Sequence, residues 1–205
     1  MTTNVSPQSL LGTVNYYDAH AREYCESTRH LDLHEVHERF LKELASGAHI
    51  LDAGCGSGRD TKAFLSRGYQ VTAIEASTEL ARLASVFTNH PSEILLFQNM
   101  EFQEEFDGIW ACASLLHVSK NEMKDVLGRF VKALKPGGVF YISLKEGEGE
   151  RVAADGRFFN DYTERSFRDL LARSSPLHEL AFWKTDDIRS QTHPQPWLNF
   201  ILKKE

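Results

Sequence analysis

Residues 51–60, LDAGCGSGRD, constrain the fold of this chain more than any other stretch. Gly54, Gly56 and Gly58 stand between an apolar run at residues 48–51 and an amphipathic run that starts at Arg59. A strand that breaks into a glycine turn and resumes as a helix leaves bare backbone at the helix N-terminus, where a ligand can approach it. The spacing is G-x-G-x-G behind Asp52, which differs from the G-x-G-x-x-G of dinucleotide sites. Further on, Gly68 ends the helix, QVTAI at 70–74 reads as a second strand, and Glu75 sits at its end. A carboxylate about 20 residues past the first glycine is placed to accept hydrogen bonds from ribose hydroxyls. The competing reading is an ordinary βαβ unit with an incidental glutamate.

From there strands and helices alternate. Strands are expected at 49–53, 70–75, 94–97, 106–113 and 139–144, with helices at 59–67 and 78–88, the latter capped by Ser77. Ser119 and Glu122 form an S-x-x-E capping box. Met123, Val126, Leu127, Phe130, Val131 and Leu134 follow it at helical spacing, and KPGG at 135–138 stops that helix. A polar stretch at 145–161 has little periodicity and reads as a loop, before a helix near 163–173. Two last strands, near 178–184 and 197–203, lie too close for a parallel crossover and are expected to pair as an antiparallel hairpin at the sheet edge. The N-terminal part reads as two helices between 13 and 44, joined near 28–32. Apolar strands alternating with helices predict a doubly wound, mostly parallel α/β sheet covered on both faces.

At 205 residues the chain fits a single domain, 1–205, divided into an N-terminal helical cap (1–46) and a Rossmann-like core (47–205). It carries 23 basic against 29 acidic residues, a formal charge of −6, and its basic residues do not cluster beyond Lys203 and Lys204. Nucleic-acid binding leaves a clustered basic footprint, so a small substrate is expected and nucleic acid is not. Cys25, Cys55 and Cys112 are scattered and suit a reducing cytoplasm. No apolar run approaches a membrane span, and MTTNVSPQSL lacks the features of a secretory signal, so a cytoplasmic location is expected.

The glycine motif resembles motif I of the class I S-adenosylmethionine-dependent methyltransferases, and the likeness runs from about Tyr16 to Lys203. GCGSGRD at 54–60, FDGIWACASLLHV at 106–118, LKPGGVFYIS at 134–143, DGRFF at 155–159 and WLNFILKK at 197–204 are most similar to small tellurite-resistance-like and generic methyltransferase-domain proteins. The resemblance implies a seven-stranded sheet of order 3-2-1-4-5-7-6 with the last strand antiparallel. It implies S-adenosyl-L-methionine as cofactor and S-adenosyl-L-homocysteine as product. By position, Asp52, Gly54, Gly56 and Gly58 would line the methionine end, Glu75 the ribose and Ala76 the adenine. Asn99, Met100 and Glu101 replace the family's acidic residue after the third strand, with Met100 expected to pack on the ring. Ala111 and Ser114 would border the sulfonium. Tyr17, in YYDAHAREY, would close over the cofactor, with Tyr16 and Tyr24 nearby, although all three can also simply pack that helix.

A sulfonium methyl is already activated, so transfer needs alignment and exclusion of water more than a catalytic triad. A base is required only if the acceptor must lose a proton. His117 follows the fourth strand and is a candidate base or substrate contact, or a structural histidine. Arg157 is a candidate for an anionic acceptor, with Phe158 and Phe159 behind it either as a water shield or as loop anchors. Lys145 and Glu146 follow the fifth strand at the same rim, and Arg189, Trp197 and Asn199 come from the terminal hairpin. Arg59 opens the helix after the glycine loop and is a candidate partner either for a substrate or cofactor carboxylate or for a nearby acid such as Asp60 or Asp18. His30, His34 and His37 fall at i, i+4 and i+7, but HEVH is not HExxH, and a solvated face is expected rather than a metal site. The expected function is methyl transfer to a small molecule or small oxyanion. A protein or tRNA methyltransferase, or a non-catalytic cofactor sensor, are the alternatives.

Overall fold

In the computed structural model, residues 7–174, 176–187 and 195–205 are described. The central strands are β1 (His49–Ala53), β4 (Phe106–Ala111) and β5 (Leu134–Lys145), nearly all of whose residues between 106 and 111 and between 139 and 145 are buried. Strands covered on both faces carry continuous apolar runs, which is how these three read. β1 pairs in parallel with β4 and with β2 (Gln70–Glu75), β2 with β3 (Ser92–Ile94), and β4 with β5. The crossovers run through α4 (Arg59–Ser66), α5 (Thr78–Thr88) and α6 (Lys120–Ala133). Ser77 and Ser119 cap α5 and α6 by accepting from the N–H groups of Leu80 and Glu122.

The expected terminal hairpin is present. β9 (Trp197–Lys204) runs antiparallel between β5 and β8 (Leu177–Thr185), and α7 (Glu164–Ser174) precedes the pair. The sheet order is β3-β2-β1-β4-β5-β9-β8. Two short strands, β6 (Gly149–Val152) and β7 (Phe158–Asp161), form a separate antiparallel sheet, so the large sheet counted alone runs 3-2-1-4-5-7-6.

Residues in register across the sheet show how its two faces are built. Trp110, Tyr141 and Ile201 are neighbours on one face, where Trp110 stacks on Tyr141 at 4.0 Å and Phe40 and Phe64 pack above them. Ile109, Phe140 and Leu202 are neighbours on the other, joined by Phe130, Phe167 and Phe200. The helix α3 (His34–Leu41) lies close to the first face, because a Cβ on Gly108 would come within 2.8 Å of both Phe40 and Leu44.

Some elements differ from their sequence expectation. The helical cap holds α1 (Pro7–Ala19) and α2 (Ala21–Thr28) as well as α3, with the chain breaking at His20, whose imidazole and N–H both face the Tyr16 carbonyl. The third strand ends at Ile94, and a 3-10 turn (Phe97–Asn99) follows. The fourth strand stops at Ala111, two residues early. The polar stretch at 145–161 is no loop. It holds the β6–β7 hairpin, closed by Ala153 N–H to Arg157 O at 2.8 Å and by Gly156 at φ +87°. Strands of four residues show too little alternation to be read as strands. Among the described residues no helix is long and apolar enough to cross a membrane.

Candidate active site

The glycine turn between β1 and α4 is held from below. Gly54 and Cys55 donate to the Ile74 carbonyl at 2.9 and 3.0 Å, tying the turn to β2. Gly54, Gly56 and Gly58 adopt φ of +79°, +53° and +78°, a region that side chains disfavour. A Cβ on Gly54 would lie 2.6 Å from that of Ser114, and one on Gly56 would meet the Tyr24 ring at 3.1 Å. The first two glycines therefore keep a cleft open. Gly58 does something else: a Cβ there would strike Thr88 and Ala84, so it lets α4 start against α5 and does not line the cleft.

Glu75 reaches up from the end of β2. Its Oε2 accepts from Gly56 N–H at 2.9 Å, and its Oε1 from Ala76 and Ser77 at 2.8 and 3.0 Å. Burial raises its pKa, which those three donors oppose. A carboxylate offers about four acceptor lobes, so one on Oε2 is left for a ligand. Gly54, Gly56, Glu75, Ala76 and Ser114 line one cleft. Its far wall is Leu95, Leu96, Phe97 and Gln98, and Thr13, Val14, Tyr17 and Tyr24 cover it. The buried Ser114 hydroxyl has no hydrogen-bond partner among the described residues. The bare glycine backbone, the spare Glu75 acceptor and that orphaned hydroxyl suit a ligand with an adenosine body and a polar tail, which is what S-adenosylmethionine offers.

Three further residues assigned to the cofactor lie elsewhere. Asp52 shares a sheet face with Trp110 and points toward α4, where it accepts from the Thr61 hydroxyl at 2.5 Å. Burial first, and then the Asp60 charge, push its carboxyl up to about 7. Met100 is 2 % exposed and sits in the core against α6, because the 3-10 turn brings Phe97 and Gln98 to the cleft instead. Ala111 is fully buried in the same core; the strand ends there, and Cys112 and Ala113 turn into the cleft, Ala113 at φ +54°.

A second cavity adjoins the cleft, and the two share Tyr17, Tyr24, Ala113 and His117. Its other walls include Lys145, Arg151, Arg157, Phe159 and Trp197. His117 Nδ1 lies 2.6 Å from the Phe158 carbonyl, which can only accept, so Nδ1 carries the proton. Nε2 is then left to accept from the Tyr17 hydroxyl at 3.0 Å. Burial, helped by the Arg157 and Arg151 charges, pushes the imidazole down to about 4 against the pull of Phe158 and Asp155. Arg157 spends its fork on Asp155 at 3.0 and 2.6 Å and lies over the Tyr16 ring at 4.5 Å. Of the aromatic pair, Phe158 is an anchor, 1 % exposed, with its N–H donating to Thr13 of α1, while Phe159 lines the cavity.

Lys145 lies over the Trp197 ring at 3.9 Å, Glu146 pairs with Lys184, and Asn199 accepts from the Tyr141 hydroxyl. Arg59 is taken by Asp60, both of its bonds at 2.8 Å. The other donors to Asp60 are Trp110 and His37, which is buried and not part of a solvated face. His30 and His34 are exposed, on Glu26 O and Arg67. Arg189 lies outside the described residues. Thr13, Leu95, Gln98 and Ala113 were not anticipated, since they reach the site through a turn and a helix packing that carry no motif.

Residues 51–142 match a family described as a methyltransferase domain. The tRNA (carboxymethyluridine(34)-5-O)-methyltransferase of Arabidopsis thaliana is 32% identical over 65% of this chain, a match that takes in 32% of the plant protein. An uncharacterized methyltransferase of Geobacillus kaustophilus is 28% identical over 85% of this chain and 75% of its own length. Among solved structures, the 1,6-didemethyltoxoflavin-N1-methyltransferase of Burkholderia thailandensis, with its substrate and S-adenosylhomocysteine bound, superposes with a TM-score of 0.79 at 22% identity. That match covers 100% of this chain and 93% of the other.

Proposed function

We propose that the chain is a class I S-adenosylmethionine-dependent methyltransferase whose acceptor is a small molecule seated in the cavity beside the glycine-loop cleft. One observation carries this reading: four residues, Tyr17, Tyr24, Ala113 and His117, belong to the walls of both spaces. A methyl donor on one side and an acceptor on the other would meet there.

On this reading Gly54 and Gly56 present backbone to the methionine end, Glu75 holds the ribose through its spare acceptor lobe, and Ser114 takes a polar group of the cofactor. Ala76, Leu95, Phe97 and Gln98 surround the adenine. When bound, the cofactor supplies an activated methyl. The chain supplies alignment and dryness, the terms that dominate such a transfer. Both α1 and the β6–β7 hairpin flank the meeting point, tied by the Thr13–Phe158 bond. A charge of −6 opposes RNA as the acceptor. The Arabidopsis relative keeps tRNA as the second reading, although it shares only a third of its length with this chain.

The test is a transfer screen with methyl-labelled S-adenosylmethionine against small metabolites, thiols, metalloid oxyanions and bulk tRNA. Label on a small molecule is the expected result. Label on tRNA alone replaces this reading, and S-adenosylhomocysteine binding without any transfer points to a sensor.

A further inference from the structure

Three cations border the acceptor cavity, and each is paired within the wall. Lys145 meets Asp187 at 2.5 Å, Arg151 meets Asp161 at 2.6 Å, and Arg157 meets Asp155 at 2.6 Å. Lys145, Arg151 and Arg157 also lie over aromatic rings, of Trp197, Phe159 and Tyr16 respectively. Positive charge held in this way is poorly placed to compensate an anion, because an incoming carboxylate or oxyanion must first displace a formed pair. The expected oxyanion acceptor and the Arg157 clamp lose their support here.

The group at the junction of the two cavities is different in kind. His117 donates from Nδ1 to Phe158 O and accepts at Nε2 from Tyr17, so the pair is a directed chain with a lone pair at its inner end. We infer that the acceptor is a neutral, planar molecule that presents an O–H or N–H to Tyr17, with His117 as the proton acceptor behind it. This rests on the methyltransferase reading and names the class of acceptor for it.

As the acceptor O–H or N–H bond breaks, its electron pair forms the new bond to the methyl carbon. The cofactor, when bound, would supply the methyl and keep the electron pair of the broken sulfur–carbon bond. The acceptor proton moves to the Tyr17 oxygen while the Tyr17 proton moves to His117 Nε2. Charge balances, since one positive sulfonium is exchanged for one imidazolium, which then yields its proton to solvent. Tyr24, Phe159 and Trp197 are among the cavity walls, which gives a planar guest aromatic neighbours. Tyr17 is the catalytic residue in this scheme. His117 acts through it.

The charged and titratable groups facing His117 are Tyr17 from α1, and Arg157, Asp155 and Arg151 from the hairpin. Burial and the two arginines keep the ring unprotonated at rest and also make it a weak base.

The test compares wild type with Tyr17→Phe and His117→Asn, the latter keeping an N–H for the Phe158 carbonyl. Probes are catechol, phenol and the N–H heteroaromatic lumazine, set against thiophenol and arsenite, which need no base. The expected result is transfer to O–H or N–H probes that falls about a hundredfold in both variants, the scale of a lost proton-transfer partner. S-adenosylhomocysteine affinity should stay within about twofold, and nitrogen NMR of wild type should show an unprotonated Nε2 whose resonance shifts in Tyr17→Phe. Transfer to thiophenol or arsenite alone overturns the inference and leaves the methyltransferase reading intact. Equal activity in the variants, or a protonated Nε2, overturns it as well. Transfer to no probe at all, with S-adenosylhomocysteine bound, defeats both readings together.

Discussion

The floor and the roof of this site are built on opposite principles. The floor is local: the glycine turn, Glu75 and Ser77 fall within 24 residues of one another, and backbone N–H groups hold the carboxylate. The roof joins distant chain. Tyr17 reaches His117 across 100 residues, Thr13 reaches Phe158 across 145, and Lys145 reaches Asp187 across 42. A ligand shared by many enzymes can be met by a short rigid cradle, whereas an individual acceptor is met by side chains that the fold must assemble. The floor thus reads as a general part and the roof as a particular one.

The sharpest way to break this contrast is Gly54→Val. Its side chain would enter Ser114 at a φ of +79°, so S-adenosylhomocysteine affinity should fall by a hundredfold or more, on the order of 3 kcal/mol, measured by calorimetry. Retained binding would show that the cradle lies elsewhere. Next comes Glu75→Ala, expected to weaken the same ligand by about 1–3 kcal/mol. It should also lower the unfolding midpoint, because Gly56, Ala76 and Ser77 each lose an acceptor. A change in affinity with no change in stability would mean that those three N–H groups find other partners.

The pH response belongs to the roof. His117 is depressed from 6.5 to about 4, so the unfolded chain binds a proton that the folded chain refuses. Its contribution is constant above pH 6.5, and stability declines as pH falls from 6.5 toward 4. Denaturant titrations along that interval should show a shallower decline in His117→Asn, and parallel curves would remove His117 as the cause. The smallest effect is expected from Arg157→Ala. The Arg157–Asp155 pair is partly open to solvent, so unfolding free energy should change by less than about 1 kcal/mol. Turnover should drop only severalfold, with S-adenosylhomocysteine affinity unchanged. A loss as large as that of Tyr17→Phe would restore Arg157 as an acceptor clamp.

The same contrast explains what the sequence disclosed. Glycine spacing and a strand-end carboxylate are short-range signals, so Gly54, Gly56, Glu75 and Ala76 could be assigned by counting. Residues whose facing depends on where a strand stops could not. Ala111 and Met100 were placed at the cofactor by family position, but the fourth strand stops at Ala111 and the third at Ile94, and both side chains lie in the core. A shift of one or two residues in a strand end decides which side chain turns toward a ligand. His37 looked like its solvated neighbours, but a helix periodicity does not say that Asp60 waits beneath it. The β6–β7 hairpin escaped because four-residue strands carry little pattern of their own.

The position of β9 has a consequence in time. It follows every other strand in chain order, yet it lies inside the sheet, between β5 and β8. During synthesis the parallel half, with its glycine turn and Glu75, can pair while residues 197–204 are still within or near the ribosome. Trp197 and the strand that carries it join afterwards, through contacts that span long stretches of chain and close slowly. A nascent molecule would therefore own a cradle for its cofactor before it owned a complete wall for its acceptor, and cofactor present during translation could steady that half-built sheet until the last strand arrives.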